Sequence, residues 1–126
     1  MLIKLERTGM HVMNNEQEFI FMKILSLLEQ HFKSKDWQKL FLSGGCYWLA
    51  SYLSTQIPGS YLVINRTDEH CALCVDGKIY DVCGHISKYG FHKATDREIA
   101  FMKKNYKPKF NVSTLEEYLQ KHLSAA

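Results

Sequence analysis

Apolar residues in the first third of the chain recur every three or four positions. This spacing predicts a buried helix over about residues 15–33, opened by an N-cap at Asn14 or Asn15. Its expected apolar face consists of Phe19, Met22, Leu25, Leu28 and Phe32. A short helical segment is expected to follow through Trp37–Leu42.

A second amphipathic helix is predicted to begin at Cys46, directly after Gly44 and Gly45. Ser43 can cap this helix, and the two glycines permit a tight turn before it. One face of the helix is apolar and carries Cys46, Leu49, Ala50 and Leu53.

The middle of the chain carries strand patterns. A strand is predicted at Tyr61–Asn65 from its β-branched and aromatic residues. The segments His70–Val75 and Lys78–Cys83 flank Asp76-Gly77, which is a strong signal for a two-residue hairpin turn. Gly84 is expected to end this hairpin.

Two capping-box patterns predict helices in the last third of the chain. Thr95-x-x-Glu98 is expected to open a helix near residues 95–106, and Ser113-x-x-Glu116 one near residues 114–124. The apolar stripe of the second helix consists of Leu115, Tyr118, Leu119 and Leu123. Because helices precede and follow the strands, we expect an α+β fold in which a small antiparallel sheet packs against helices. The sheet is expected to be a meander with a hairpin at 70–83.

Composition narrows the class of protein. The 126 residues suit one domain, 1–126, and their 46% hydrophobic content excludes a disordered chain. No apolar run reaches the ~20 residues of a membrane-spanning helix, and residues 1–7 lack the apolar core of a signal peptide. We therefore expect a cytoplasmic protein that binds no membrane.

The net charge of +3 is too small to indicate nucleic-acid binding by itself. One weak basic cluster is formed by Lys103, Lys104, Lys107 and Lys109. Nucleic acid or an acidic partner could bind there, but cations are also favourable at a helix C-terminus. We therefore do not expect nucleic acid as a partner.

Four cysteines in a cytosolic chain are expected to be thiols, metal ligands or a nucleophile rather than disulfides. Cys46 is the candidate nucleophile, because a helix N-terminus lowers a thiol's pKa and can bind an oxyanion. Gly44 and Gly45 would let a substrate approach the backbone, and Tyr47 and Trp48 could line its pocket. Alternatively, Cys46 is only a small core residue.

The predicted hairpin brings a candidate base close to a candidate carboxylate. With a two-residue turn, Val75 lies opposite Lys78, and side chains alternate between the faces. One face then carries His70, Ala72, Cys74, Ile79, Asp81 and Cys83. On this face His70 and Asp81 are diagonal neighbours, so Asp81 can fix the imidazole tautomer. If this face packs on the Cys46 helix, a Cys-His-Asp triad results; otherwise His70 is an ordinary strand-edge histidine.

Zinc is a less favoured alternative. Cys71-x-x-Cys74 together with His70 and Cys83 has the composition of a zinc site. On an extended strand, however, Cys71 and Cys74 point to opposite faces. The remaining arrangement is His70, Cys74 and Cys83 completed by Cys46. We expect no metal and no other cofactor, and we expect Cys71 to contribute packing alone.

Two segments carry a resemblance to a known family: Gly44-Gly45-Cys46-Tyr47-Trp48 and residues 70–81. A cysteine at a helix start, followed by His and Asp on adjacent strands, resembles the papain-like superfamily. The likeness is to its transglutaminase-like, arylamine acetyltransferase-like and bacterial cell-wall amidase branches. The region 43–84 is also similar to short proteins of phages and prophages. The resemblance implies a papain-like domain with Cys46 as nucleophile, His70 as base and Asp81 as the residue that orients it.

The sequence departs from papain itself at two positions. Papain has Trp directly after the nucleophile and Gln six residues before it, whereas this chain has Tyr47 and Leu40. Gln38 is the only nearby substitute for that glutamine.

These residues lead to two expectations about function. The first is a thiol-dependent cysteine hydrolase or acyltransferase that performs amide hydrolysis, deamidation or acyl transfer on a protein, peptide or small amide or acyl substrate. The second is a non-catalytic binding or inhibitor protein, which a phage could encode, that reuses the fold.

Overall fold

A computed structural model describes residues 14–124 and has an α+β fold, as predicted. The four α-helices are α1 (Asn15–Phe32), α2 (Cys46–Gln56), α3 (Asp96–Asn105) and α4 (Val112–Leu123). A 3₁₀ helix covers Trp37–Phe41 between α1 and α2. The five strands are β1 (Tyr61–Asn65), β2 (His70–Val75), β3 (Lys78–Asp81), β4 (Gly84–Ile86) and β5 (His92–Lys93).

The strands form one antiparallel sheet in the order β4-β3-β2-β1-β5, with β2 in the centre. The hairpin register is the predicted one, since Val75 lies opposite Lys78. Asp76 and Gly77 both have positive φ, 52° and 81°, as the favoured two-residue hairpin turn requires. The prediction for Gly84 was wrong: this residue begins β4 after a turn that contains Cys83. Cys83 is consequently exposed.

The two faces of the sheet pack against different partners. Leu73, Val75, Tyr80 and Val82 join the main core with side chains of α1, α2 and α4. The opposite face is a smaller cluster of Val63, Ala72, Cys74 and Ile79, covered in part by Ile86 and Phe91. Packing of α2 on the face of Ala72 and Cys74, the condition set above for a triad, is therefore not what the fold shows, because α2 lies against the other face.

Helix α1 begins after Asn14, whose side chain accepts a hydrogen bond from the Gln17 backbone in a capping box. Its buried stripe differs from the predicted one and consists of Phe21, Ile24, Leu27 and Leu28. Phe19 is 66% exposed and Met22 is 55% exposed. Helix α1 has apolar residues on more than one face, so helical spacing is consistent with two different buried stripes. Tertiary packing determines which of the two is buried.

The two C-terminal helices are capped differently. Thr95 and Glu98 form the predicted capping box at α3. At α4 the N-cap is Asn111, whose side chain accepts a hydrogen bond from the Thr114 backbone, so the predicted cap at Ser113 was wrong. Asn is among the most favoured N-cap residues, and Asn111 caps the helix two residues before Ser113. Within residues 14–124, no helix is long and apolar enough to cross a membrane.

Candidate active site

Cys46 is the first residue of α2 and is buried, with 3% of its surface exposed. Its sulfur accepts a hydrogen bond from the Cys71 backbone N–H at 3.4 Å. This contact holds the sulfur at the start of β2, next to His70. The Cys46 side chain thus lies at the end of β2 that begins with His70, although α2 packs on the opposite face from Ala72 and Cys74.

Gly44 and Gly45 allow the start of α2 to pack closely against the backbone of Lys107 and Leu40. A Cβ at Gly44 would lie 2.0 Å from the Lys107 carbonyl oxygen, and one at Gly45 would lie 2.3 Å from the Leu40 carbonyl oxygen. These close approaches require glycine at both positions. Ser43 makes no side-chain cap for α2, because its hydroxyl donates to the Lys39 carbonyl instead.

His70 and Asp81 form the hydrogen bond predicted from the hairpin register. His70 Nε2 lies 2.8 Å from Asp81 Oδ2. A carboxylate only accepts, so Nε2 carries the proton and Nδ1 is left for a second partner. The other oxygen, Asp81 Oδ1, accepts the Cys83 backbone N–H at 2.7 Å. Asp81 is 8% exposed, and both its oxygens are therefore fixed.

The charges of these groups are coupled. Burial lowers the pKa of His70, but the hydrogen bonds with the Asp81 and Cys46 side chains, together with their negative charge, outweigh this and raise the pKa to about 9. The arrangement can hold a thiolate–imidazolium pair with Asp81 behind the ring.

Tyr47 and Trp48 pack in different places. Tyr47 contacts the cluster that surrounds Cys46 and includes Ile64 and Met102. Trp48 stacks on Tyr52, with ring centroids 5.1 Å apart, and its Nε1–H donates to Glu116 of α4 at 2.9 Å. Trp48 therefore joins α2 to α4, and the structure does not bring it to His70.

Two surface depressions lie beside the His70–Asp81 pair and the start of α2. The first, about 460 Å³, is lined by His70 and Asp81 and by side chains of the segment 86–91. The second, about 540 Å³, is lined by Ser43, Gly44 and Tyr106. Leu42 and Asp68 line both, so the two depressions adjoin.

The sequence reasoning missed Asn65 and Asp68 beside His70. Asn65 lies opposite His70 in the β1–β2 pairing and is buried. Its amide accepts the Asp68 backbone N–H at 3.1 Å and donates to the Asp68 carboxylate at 3.2 Å. The spacing Asn65-x-x-Asp68 between two strands was the available signal, because Asn side chains bond to nearby backbone in turns.

The remaining predicted residues can be placed as well. Gln38 Nε2 donates to the Val82 carbonyl at 3.4 Å. Cys46 and Cys74 are buried on opposite sides of the sheet, and Cys83 is exposed. Among the residues that the structure describes, no three His, Cys, Asp or Glu side chains are grouped to hold a metal ion.

Comparison with known proteins identifies a family. A family model described as "Phage YunG-like protein" matches residues 11–120. No curated protein matches the chain. No solved structure matches it either. The match spans the helix that carries Cys46 and the hairpin that carries His70 and Asp81, and most of the chain on either side. The chain therefore belongs to the phage YunG-like protein family.

Proposed function

We propose that this protein is a cysteine-dependent acyl-transfer enzyme, a hydrolase or transferase of amide or ester substrates, with the papain-like arrangement of Cys46, His70 and Asp81. The observation that carries the proposal is the 2.8 Å bond between His70 Nε2 and Asp81 Oδ2, together with the Cys46 sulfur held at 3.4 Å by the backbone N–H of Cys71, the residue next to His70. Nucleophile, base and orienting carboxylate are the three parts of an activated thiol.

In the first step, the Cys46 thiol gives its proton to His70 Nδ1, and the thiolate attacks the carbonyl carbon of the substrate. A carbon–sulfur bond forms and the carbonyl oxygen becomes an oxyanion. The Cys46 backbone N–H donates to the Ser43 carbonyl at 3.2 Å. The Tyr47 and Trp48 N–H groups have no backbone acceptor among residues 14–124, so they are the donors that this helix end offers to an oxyanion.

When the oxyanion collapses, the bond to the leaving group breaks and the proton on Nδ1 passes to the leaving nitrogen or oxygen. Cys46 is then a thioester. Water or an amine attacks this thioester, giving its proton to Nδ1, and the thiol is restored. Asp81 keeps its charge throughout and holds the imidazolium in one orientation. Hydrolysis, deamidation and transfer differ only in the attacking and leaving groups.

Selective alkylation tests the nucleophile. A free thiol with a pKa of about 8.5 is only about 0.3% ionised at pH 6. Burial and the charge of Asp81 raise the pKa of the exposed Cys83 further. With limiting iodoacetamide at pH 6, peptide mapping by mass spectrometry should therefore show Cys46 labelled at least about tenfold faster than Cys83, although Cys83 is the more exposed residue.

Amino-acid substitutions distinguish the proposed enzyme from a non-catalytic binding or inhibitor protein. Asp81→Asn and His70→Ala should each slow alkylation of Cys46 at pH 6, and Cys83→Ser should leave it unchanged. With p-nitrophenyl acetate, the wild-type chain should release a burst of up to one nitrophenol per chain, and Cys46→Ser should abolish it. Equal labelling of Cys46 and Cys83 at pH 6, with no burst, would overturn the proposal in favour of a binding or inhibitor protein.

A further inference from the structure

The depression of about 460 Å³ beside His70 has a wall of apolar side chains: Leu42, Ile86, Tyr89 and Phe91. The Phe91 ring packs edge-on against the His70 ring, with centroids 6.0 Å apart. His70 and Asp81 line the same depression. Whatever occupies this space is therefore in contact with the candidate general acid and base.

Tyr89 is the most exposed of these side chains, at 88%. An aromatic ring left this exposed at the mouth of a depression has apolar surface available for a ligand. The polar residues Asn65, Asp68 and Ser87 also line the depression, beside His70 and Asp81. The negative charge of Asp68 disfavours an anionic ligand there.

The loop that carries Tyr89 is held in place by its own contacts. The Tyr89 backbone N–H donates to Ser87 Oγ at 3.2 Å, and the Phe91 N–H donates to the Lys88 carbonyl at 3.1 Å. Gly90 has φ of +84°, and a Cβ there would lie 2.7 Å from the Asn65 amide nitrogen. Gly90 thus presses the loop against Asn65, the β1 residue opposite His70.

We propose that Tyr89, with Ile86 and Phe91, forms a specificity subsite that takes an uncharged aromatic or apolar group of the substrate, next to the bond broken at Cys46. The subsite rests on the proposed function, because its occupant is the substrate of Cys46.

A pair of reagents of the same reactivity and different size tests the subsite. Chloroacetamide and N-benzyl chloroacetamide alkylate thiols by the same displacement of chloride, and only the second carries an aromatic group. Mass spectrometry gives the rate of each reaction at Cys46, and the ratio of the two rates measures recognition of the benzyl group. We expect this ratio to fall about five- to tenfold in Tyr89→Ala and to be retained in Tyr89→Phe, because the ring and not the hydroxyl makes the contact.

Phe19→Ala is the matched control, since Phe19 is also an exposed aromatic residue, at 66%, but lies on α1 outside this depression. Both rates should equal those of the wild-type chain in this variant. If Cys46 reacts with both reagents and Tyr89→Ala leaves the ratio unchanged, the subsite is overturned and the proposed function stands. If Cys46 reacts with neither reagent in the wild-type chain, both proposals fail.

Discussion

At the scale of single residues, His70 makes the contacts that matter most to the proposed chemistry. It is the first residue of β2 and its side chain is 15% exposed. Its Nε2 bonds to the Asp81 carboxylate on β3, and the Asp81 and Cys46 side chains both raise its pKa. The ionisation of this one side chain is thus coupled to groups on the sheet and on α2, and therefore to the stability of the fold.

This coupling predicts a pH dependence of stability. In the folded protein, the bonds and negative charge of its partners raise the pKa of His70 from its ordinary value of 6.5 to about 9. A raised folded-state pKa stabilises the fold fully below pH 6.5, and the contribution is lost as the pH rises through about 9. Relative to His70→Gln, the wild-type free energy of unfolding should fall by about 1–2 kcal/mol between pH 6 and pH 9, after allowance for solvent screening of the partly exposed ring.

Urea unfolding of both proteins at pH 6, 7.5 and 9 measures this difference. Taking the difference between the two proteins removes the effect of Cys71, because its burial raises its pKa in both. A wild-type chain that loses no more stability than His70→Gln over this range would contradict the coupled triad.

Sequence could predict the His70–Asp81 pair because period-two alternation and the Asp76-Gly77 turn determine the hairpin register. It could not predict how Cys46 reaches His70. That approach depends on Gly44 and Gly45, which place α2 against the backbone of Leu40 and Lys107. The contact between Gly44 and Lys107 joins residues more than sixty positions apart, and such a contact leaves no periodic signal in a single sequence.

At the scale of elements, local hydrogen bonds decided where helices begin. Asn14 and Thr95 are N-caps that the sequence indicated, and in both cases the capping box is complete. The α4 start was misassigned because Ser113 and Glu116 have capping-box spacing. In the fold, the Glu116 carboxylate accepts from the Trp48 indole instead. The Glu116 side chain, which the local pattern assigned to a capping box, therefore makes a tertiary contact with Trp48 instead.

The start of α4 gives a direct test of that difference. Asn111→Ala should lower the free energy of unfolding by about 1 kcal/mol, because the Thr114 N–H loses its side-chain acceptor. Ser113→Ala is the matched control and should change stability by less than about 0.5 kcal/mol, since Ser113 lies inside the helix. Thermal or urea unfolding of the two variants measures both. The reverse order of effects would restore Ser113 as the cap.

Tertiary packing, rather than local hydrogen bonding, determines which residues of α1 are buried. Phe19, Phe21 and Met22 are all apolar, so helical periodicity does not decide which of them is buried. In the structure Phe21 is buried, and Phe19 and Met22 are exposed. Phe21 packs edge-on against Tyr80 of β3, with ring centroids 5.6 Å apart. Packing against the sheet thus sets which face of α1 is buried. The hydrophobic pattern of α1 alone contains no information about this packing.

At the scale of the whole molecule, the two faces of the sheet carry buried clusters of unequal size, two on the helix side and one on the opposite face. The main core lies between the sheet and helices α1, α2 and α4. Among residues 14–124, Ile86 and Phe91 cover the smaller cluster on the opposite face. The central strand β2 contributes to both, with Cys71 buried on the helix side and Cys74 on the opposite face.

These two cysteines report whether the faces unfold together. Cys71 is 1% exposed and Cys74 is 3% exposed, and each lies on a strand paired on both sides. Freeing either thiol requires separation of β2 from its neighbours, which is expected only in global unfolding. We therefore expect both to be alkylated at one rate, with the same dependence on urea as unfolding followed by circular dichroism.

Cys83 supplies the internal control for this measurement. It lies exposed in the β3–β4 turn, so its alkylation should proceed without urea and hardly change below the unfolding transition. Peptide mapping after pulses of a neutral alkylating reagent follows all sites in one experiment. Labelling of Cys74 well before Cys71 would show that the thinly covered face opens alone. Because one continuous strand carries both thiols in a sheet of fixed register, we expect a single cooperative unit instead.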